Sequence, residues 1–486
     1  MRLACLFVCM FVTLALSACA STPREPDTET AAWWRTTEAL SNDAMEGRDT
    51  GSAGYDRAAA YVAHRFKGAG LLPAGDSGTY FQRLKFRDVE IAGESTALTV
   101  KLANGTMRPL RFLHDVTVSP NWGTPGRLNG RLMFRGTCAQ EEMKRVRGAI
   151  VVCFGTRRMG QTTYATRLEA ATAAGARGII NVDDPAFIEP PRWPLAYART
   201  VVMDDGTTLP RTIPAMRMSA KAFADLADAS GQPGEDILAR GSRGEPMAAF
   251  DFGARLEARF AKRERRYTSD NVLAVMPGTD PALASEPVLL IAHLDGYGFG
   301  TPVNGDSLYN GTLDDAAYVA TLISFADARK GRGFRRPVVF AAVTGEEKGL
   351  LGSRWLAAHP TEAAPMPIAV LNLDQLRPLY PFTILTTLAL DDTTLGQTVR
   401  EIAEPMGIEV RADREPERNL LQRTDHWPFM QRGVPAVSFL FGFDYDTDSH
   451  ARYLDWYQNR YHAPQDDMST PIDFGAQAKF HRLCMP

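Results

Sequence analysis

An α/β fold with a central, mainly parallel β-sheet flanked by helices, carrying a small β-rich insert, is predicted by three features of the 486-residue chain. Apolar runs of strand length recur from residue 271 onward, helical stretches alternate with them, and a turn-rich segment of different texture lies between about 118 and 246. The runs "NVLAVMPG", "PVLLIAH", "PVVFAAVTG", "PIAVLNLD" and "VPAVSFLFGF" are too continuously hydrophobic to leave one face in water, which is the pattern of buried parallel strands. Between them "DDAAYVATLISFADARK" puts Val319, Leu322, Ile323 and Ala326 on one helical stripe. Upstream, "AAYVAHRFKGAGLLPAG" does the same with Ala59, Val62, Ala63 and Phe66 and stops at Gly70. Strands buried on both faces, together with amphipathic helices, predict helices on each side of the sheet.

The interrupting segment begins with the turn-rich "VSPNWGTPGRLNG" and continues through short strand-like runs, "RLMF" and "GAIVVCF". An Ala-rich helix ending at Gly175, then "TIPAMRMS", then the closing "ARGSRGEP" complete it. In "RGAIVVCF", "AATAAGARGIINV" and "IPAMRMS" it resembles a protease-associated domain, a kind of module that serves as a lid or spacer; the bland alternative is any small α/β insert. The charge run "AKRERR" at 261–266 reads as a solvated linker.

Composition bounds the function classes. With 45% apolar and 23% charged residues, the chain is long enough for two or three domains, and a formal charge of -3 gives no basic footprint for nucleic acid. The first 19 residues, "MRLACLFVCMFVTLALSAC", carry Arg2 and an apolar run from Leu3 to Leu16 broken only by Thr13. That run is too short to span a membrane and has the layout of a secretory signal. Its end, Leu16-Ser17-Ala18-Cys19, resembles a bacterial lipobox, which implies cleavage before Cys19 and a lipid on that cysteine. Ala20 in place of Asp points to an outer-membrane lipoprotein facing the periplasm or the cell surface; an ordinary signal with a chance cysteine is the alternative. Three of the six cysteines belong to this segment, leaving Cys138, Cys153 and Cys484. Cys138 and Cys153 are able to pair in an oxidising compartment, and with no CxxC any metal site must use His and carboxylates.

Such residues fall repeatedly at the ends of the apolar runs, where ligands gather in open α/β sheets. "PVLLIAH" ends in His293 with Asp295 two residues on; "PVVFAAVTG" runs into Glu346 and Glu347; "PIAVLNL" ends at Asp374. Asp314 and Asp315 open the helix between the first two, and His462 sits in "YHAPQDD". An Asp at a helix start is ordinarily a cap, and a single surface histidine is ordinarily solvated. Two imidazoles and three carboxylates together, however, satisfy two borderline divalent cations if one carboxylate bridges. Cations also explain why a buried strand ends in two adjacent glutamates, whose like charges otherwise resist burial. Ions about 3.5–4 Å apart lower the pKa of water, and a nearby glutamate moves its proton.

From "NVLAVMPG" through "AHLDGYG", "GDSLYNGTLDD", "AVTGEEKGLLGS", "LNLD", "TDHWPFMQRGVPA" and "YHAPQDD", the chain resembles the co-catalytic zinc exopeptidases of the aminopeptidase Y and glutamate carboxypeptidase type. "MEGRDTGSAGYDRAAAYVAHRF" resembles that family's N-terminal segment, so the likeness covers roughly residues 31 to 480. It implies a zinc exopeptidase-like fold holding two zinc ions, with Asp314 bridging, His293 and Asp374 on one ion, and Glu347 and His462 on the other. Glu346 is the implied general base and acid. Asp295 is implied to accept the second ring N–H of His293. Asp425 and Asp466 are expected to shape the pocket, and His426 and His450 to be surface residues. Where relatives carry a Ser-Gly pair after the bridging aspartate, this chain has Ala317 and Tyr318, so substrate access or helix packing is expected to differ.

The implied organisation is a signal peptide at 1–18, a tether at 19–30, the N-terminal part of the peptidase domain at 31–112, the protease-associated insert at 113–255 and the catalytic part at 256–486. The implied activity is peptide hydrolysis, most simply by an aminopeptidase, with peptide as the partner and the membrane reached only through Cys19. A non-catalytic envelope lipoprotein and a glutaminyl cyclase-like acyl transferase are the alternatives. No motif separates amino-end from carboxyl-end trimming or fixes oligomeric state.

Overall fold

The protein is described by a computed structural model over residues 26–484, apart from 157, 159, 188, 190, 191, 207–211 and 375. The signal segment and Cys19 lie outside the described residues. Among the described residues no helix is long and apolar enough to cross a membrane.

The larger sheet has the strand order Glu409–Arg411, Ile384–Leu388, Ala436–Phe441, Ala369–Asn372, Val288–His293, Val338–Val343, Lys262–Met276, Phe81–Ile91 and Arg199–Met203, with Leu72–Pro73 beside Lys262–Met276. The four strands at its centre, from Ala436–Phe441 to Val338–Val343, run parallel, while its flanks are mainly antiparallel. The fold class is the α/β one expected. Its centre is apolar on both faces because successive side chains alternate between two cores. Leu290, Ala292, Val338, Phe340 and Ala342 pack with the helices Ala53–Gly68 and Ala317–Ala328, and Leu289, Ile291, Val339, Ala341 and Val343 pack with Leu356 and Phe429. Fully burying each larger apolar side chain of this kind contributes about 1.5–3 kcal/mol.

A second sheet, ordered Met107–Leu110, Ala97–Lys101, Phe250–Arg259, Arg127–Phe134, Ile150–Gly155, Gly178–Asp183, Ala215–Met218 and Val116–Ser119, has a core of its own. Its strands lie between residues 97 and 259, so its outermost pair falls outside the 113–255 span. A disulfide joins Cys138 to Cys153 inside it. Beyond the strand Gly178–Asp183 the chain rejoins the larger sheet as its edge strand Arg199–Met203.

One expectation is corrected here. The run at 261–266 is no linker, because Lys262–Met276 is a continuous strand paired with Phe81–Ile91 from Lys262↔Ile91 to Val272↔Phe81. Its charges project into solvent while the backbone is paired, and Arg265 reaches Asp88 across the ribbon.

Candidate metal centre

The parallel strands end at one rim, and the chain turns there abruptly. His293 is the last residue of its strand; Asp374 lies two residues beyond Asn372; Glu346 follows Val343 after Thr344 and Gly345. Gly345 has φ +69°, and a Cβ there would stand 3.3 Å from that of Leu351, so this turn suits glycine. Asp314 and Asp315 precede the helix Ala317–Ala328. His462 follows the helix Asp448–Asn459 with φ +54°, an unusual conformation for a non-glycine residue and one that recurs at functional sites.

Two groups of ligand atoms result, each within 4.8 Å: His293 with Asp315 and Asp374, and Asp314 with Glu347 and His462. Asp314 stands between them. Its Oδ1 is 3.3 Å from His293 Nε2 and its Oδ2 is 3.3 Å from His462 Nε2, while Glu347 Oε2 is 3.6 Å from His462 Nε2. Glu346 faces the same cavity, of about 320 Å³. Asp315 was not assigned a role from sequence. Its Oδ2 accepts the backbone N–H of His293 at 3.0 Å and lies 3.9 Å from His293 Nε2.

The role given to Asp295 is corrected. His293 Nδ1 is 3.0 Å from the backbone carbonyl oxygen of Asp295, whereas the carboxylate is 4.0 Å away. That carboxylate accepts the Glu346 N–H and the Thr50 hydroxyl, each at 3.0 Å, and so ties the glutamate loop to the histidine strand. His293 Nδ1–H thus donates to a carbonyl and Nε2 keeps its lone pair for the rim. On the other side Tyr297 Oη is 3.1 Å from His462 Nδ1. Asp466 accepts the N–H groups of Leu313 and Asp314, positioning the shared aspartate, and Asp425 accepts the Ser353 hydroxyl at 2.5 Å.

His426 is likewise corrected. It is fully buried, with Nδ1 2.8 Å from the Thr424 hydroxyl, and burial holds its pKa down to about 3. His450 is half-exposed and stacks on Phe443. Tyr318 is buried, its hydroxyl taking the Arg377 N–H, and it does not line the cavity; its bulk changes helix packing rather than access.

The electrostatics of the rim call for cations. Burial raises the carboxyl pKa of Glu347 to about 7, with the Asp314 charge adding to the rise and His462 opposing it. Burial also drives Glu346 well up, with the His293 charge opposing and Glu347 adding. Burial alone would lower His293, but Asp315, Glu346 and Asp314 raise it well above the usual imidazole value. Glu347 Oε1 and Asp315 Oδ1 are buried with no hydrogen-bond partner among the described residues, a costly state that a metal ion relieves. Imidazole nitrogens and carboxylate oxygens in this number fit a borderline divalent ion.

Several supporting residues were missed because their partners lie far away in sequence. Arg48 is fully buried and donates to the carbonyl oxygens of Leu40, Leu294, Asn310 and Gly311, gathering the loops around Asp314. Lys348, next to Glu347, donates to Tyr197 Oη at 2.7 Å and lies 3.2 Å from Asp49 Oδ1. Asp49 also receives Arg199 in a two-pronged contact at 2.7 and 2.8 Å. Only the adjacency of Lys348 to the glutamate pair hinted at this network. Asp49→Ala would leave the buried cations Lys348 and Arg199 without their shared carboxylate. It is expected to destabilise the protein by about 3–5 kcal/mol in urea unfolding; an unchanged midpoint would show that the network contributes nothing.

Sheet and rim together define a class: an α/β protein with two neighbouring, carboxylate-rich groups of candidate metal ligands at the carboxyl ends of parallel strands. The fold is similar to that of an aminopeptidase from Aneurinibacillus sp. strain AM-1, with a TM-score of 0.62 and 16% identity over 93% of this chain and 92% of that one. It is also similar to a zinc aminopeptidase from Bacillus subtilis, with a TM-score of 0.60 and 18% identity over 95% of both chains. Leupeptin-inactivating enzyme 1 of Streptomyces exfoliatus is 27% identical over 214 residues, 42% of this chain and 45% of that protein, so the match spans less than half of the curated relative. Residues 271–486 match Peptidase family M28.

Proposed function

We propose that the protein is a zinc-dependent exopeptidase, of the aminopeptidase type, that holds two zinc ions. The observation that carries this reading is the single carboxylate of Asp314 meeting an imidazole on each side, His293 and His462, beside the cavity that Glu346 faces. His293 and Asp374 would hold one ion and Glu347 and His462 the other, with Asp314 shared; the match of residues 271–486 to Peptidase family M28 and the zinc aminopeptidase of similar fold support the choice of metal. Bound there, zinc supplies Lewis-acid polarisation of the scissile carbonyl and lowers the pKa of water towards neutrality.

The remaining steps fall to the protein's own groups. The Glu346 carboxylate takes a proton from the attacking water and delivers it to the leaving amine. The Asp295 carbonyl and Tyr297 hydroxyl fix the ring orientations of His293 and His462. Asp315 steadies the end of the His293 strand. In this reading the second sheet is the protease-associated module, and the export and anchoring of the enzyme at Cys19 rest on the sequence of residues 1–19. Recovery of the protein in the membrane fraction checks the anchor; recovery in the soluble fraction refutes it.

The test is a panel of peptides with free, amino-blocked or carboxyl-blocked ends, assayed with and without a chelator. Release of the amino-terminal residue from free-amine peptides alone, abolished by the chelator, is expected. Release from the carboxyl end only would refute the aminopeptidase assignment.

A further inference from the structure

A second cavity opens at the rim. It has a volume of about 760 Å³, within the range of ligand sites, and lies between the second-sheet module and the larger sheet. It shares Tyr297, Arg423, Tyr461 and His462 with the smaller metal-side cavity, so the two adjoin. Six arginines and four carboxylates line it. Three of those carboxylates have guanidinium partners: Asp183 with Arg217 at 2.6 Å, Asp184 with Arg158 at 3.2 Å, and Glu189 with Arg423 at 2.8 Å and Arg418 at 3.2 Å.

Two of the arginines, Arg167 and Arg192, have no carboxylate partner among the described residues. Arg192 is partly exposed and donates to the carbonyl oxygens of Gln458, Asn459 and Tyr461, whereas Arg167, on the helix Tyr164–Ala173 of the module, is 3% exposed. Nε donates to Asn181 Oδ1 at 2.8 Å, and Nη1 donates to the carbonyl oxygens of Thr162 and Thr156. Nη2 makes no hydrogen bond among the described residues, and the side chain lines the cavity. Burial lowers the guanidinium pKa only to about 10, so the group stays charged at neutral pH. A buried cation held by neutral oxygens alone, in the wall of a cavity that adjoins the metal-side pocket, has no counter-ion among the described residues.

We propose that Arg167 receives a carboxylate of the bound peptide, so that the residue to be released occupies the metal-side cavity while the rest of a short peptide lies in the larger one. The inference rests on the peptidase reading above. The carboxylate has two sources, the substrate's own C-terminus or an acidic side chain beyond the cleaved bond. Both supply the charge-assisted acceptor that the fork of Arg167 lacks. The pairings of Glu189 with Arg418 and Arg423 form one wall of the larger cavity.

The experiment uses the full-length, zinc-loaded protein and peptides of two to five residues, each as free acid and as C-terminal amide, with a second amide series carrying one internal glutamate. For at least one length the free acid, or the glutamate-bearing amide, is expected to show a KM about tenfold below that of the neutral amide, with kcat little changed, because the contact is made equally before and during the reaction. An advantage of the free acid identifies the C-terminus as the source; an advantage of the glutamate series identifies the side chain. Arg167→Gln is expected to erase the KM ratio and Arg167→Lys to keep part of it. Equal KM values for acids and amides at every length in the wild-type protein would overturn the proposal while leaving the peptidase reading intact, and this comparison needs no variant to fold. A ratio that survives in Arg167→Gln would also overturn it. Failure to hydrolyse any peptide removes the peptidase reading and this inference with it.

Discussion

Glu346→Gln is expected to lower turnover of a good peptide substrate by about 10²–10⁴-fold while the metal content of the purified protein stays unchanged. Glutamine keeps the size and one oxygen of the side chain, and the backbone N–H of residue 346 still reaches Asp295, so the loop keeps its place. What is lost is a group able to take and return a proton. Glu346 has no place in either ligand group, whereas its neighbour Glu347 lies 3.6 Å from His462. The adjacent residues should therefore separate cleanly: Glu347→Gln loses metal as well as activity, and Glu346→Gln loses activity alone. Kinetics with zinc analysis on the same samples checks this. Full activity in Glu346→Gln would remove its assigned role, and equal metal loss in both variants would make Glu346 a ligand.

Asp314→Asn is expected to have the larger effect on metal binding. Each of its two oxygens faces a different imidazole, so one substitution weakens both halves of the centre at once. An amide offers a single, neutral oxygen, and a ligand set assembled to balance two divalent charges loses one of its anions. Zinc content should fall below one ion per chain and hydrolysis to background. Thermal stability supplies a second readout. An ion held at a thousand times its Kd adds about 4 kcal/mol to the folded state. A chelator should therefore lower the melting temperature of the wild-type protein markedly and leave that of Asp314→Asn nearly where it was. A variant that retains two ions per chain would show that Asp314 is not shared.

The strands were legible because burial on both faces left an unbroken apolar signature, as in "PVVFAAV". The side chains at the rim were legible because chemistry-bearing residues stood where those runs stopped: His293, Asp314, Glu347, Asp374 and His462 come together in the two neighbouring groups. What stayed hidden was set by partners distant in the chain. Arg48 reads as an ordinary charge until Leu294 and Asn310 are folded over it. Asp49 acquires meaning only when Arg199 and Lys348 converge on it, some 150 and 300 residues away respectively. The charge run at 262–266 misled because polarity was read as looseness, although an exposed antiparallel ribbon tolerates charge on every solvent-facing position. Asp295 misled in a subtler way: spacing brought it next to His293, but the backbone oxygen rather than the carboxylate meets the ring, since Thr50 and the Glu346 amide had claimed the latter. His426 reads as a surface residue because nothing local in "TDHWPF" announces that it is sealed inside.

The most direct measurement of the metal-centre claim is anomalous X-ray scattering at the zinc edge from crystals of protein purified without chelator. Two peaks about 3.5–4 Å apart, with the Asp314 carboxylate between them and one imidazole on each, are predicted. A zinc-replete crystal with no peak at this rim, or with a single ion that leaves His462 or His293 uncoordinated, would contradict the two-ion centre and the mechanism built on it.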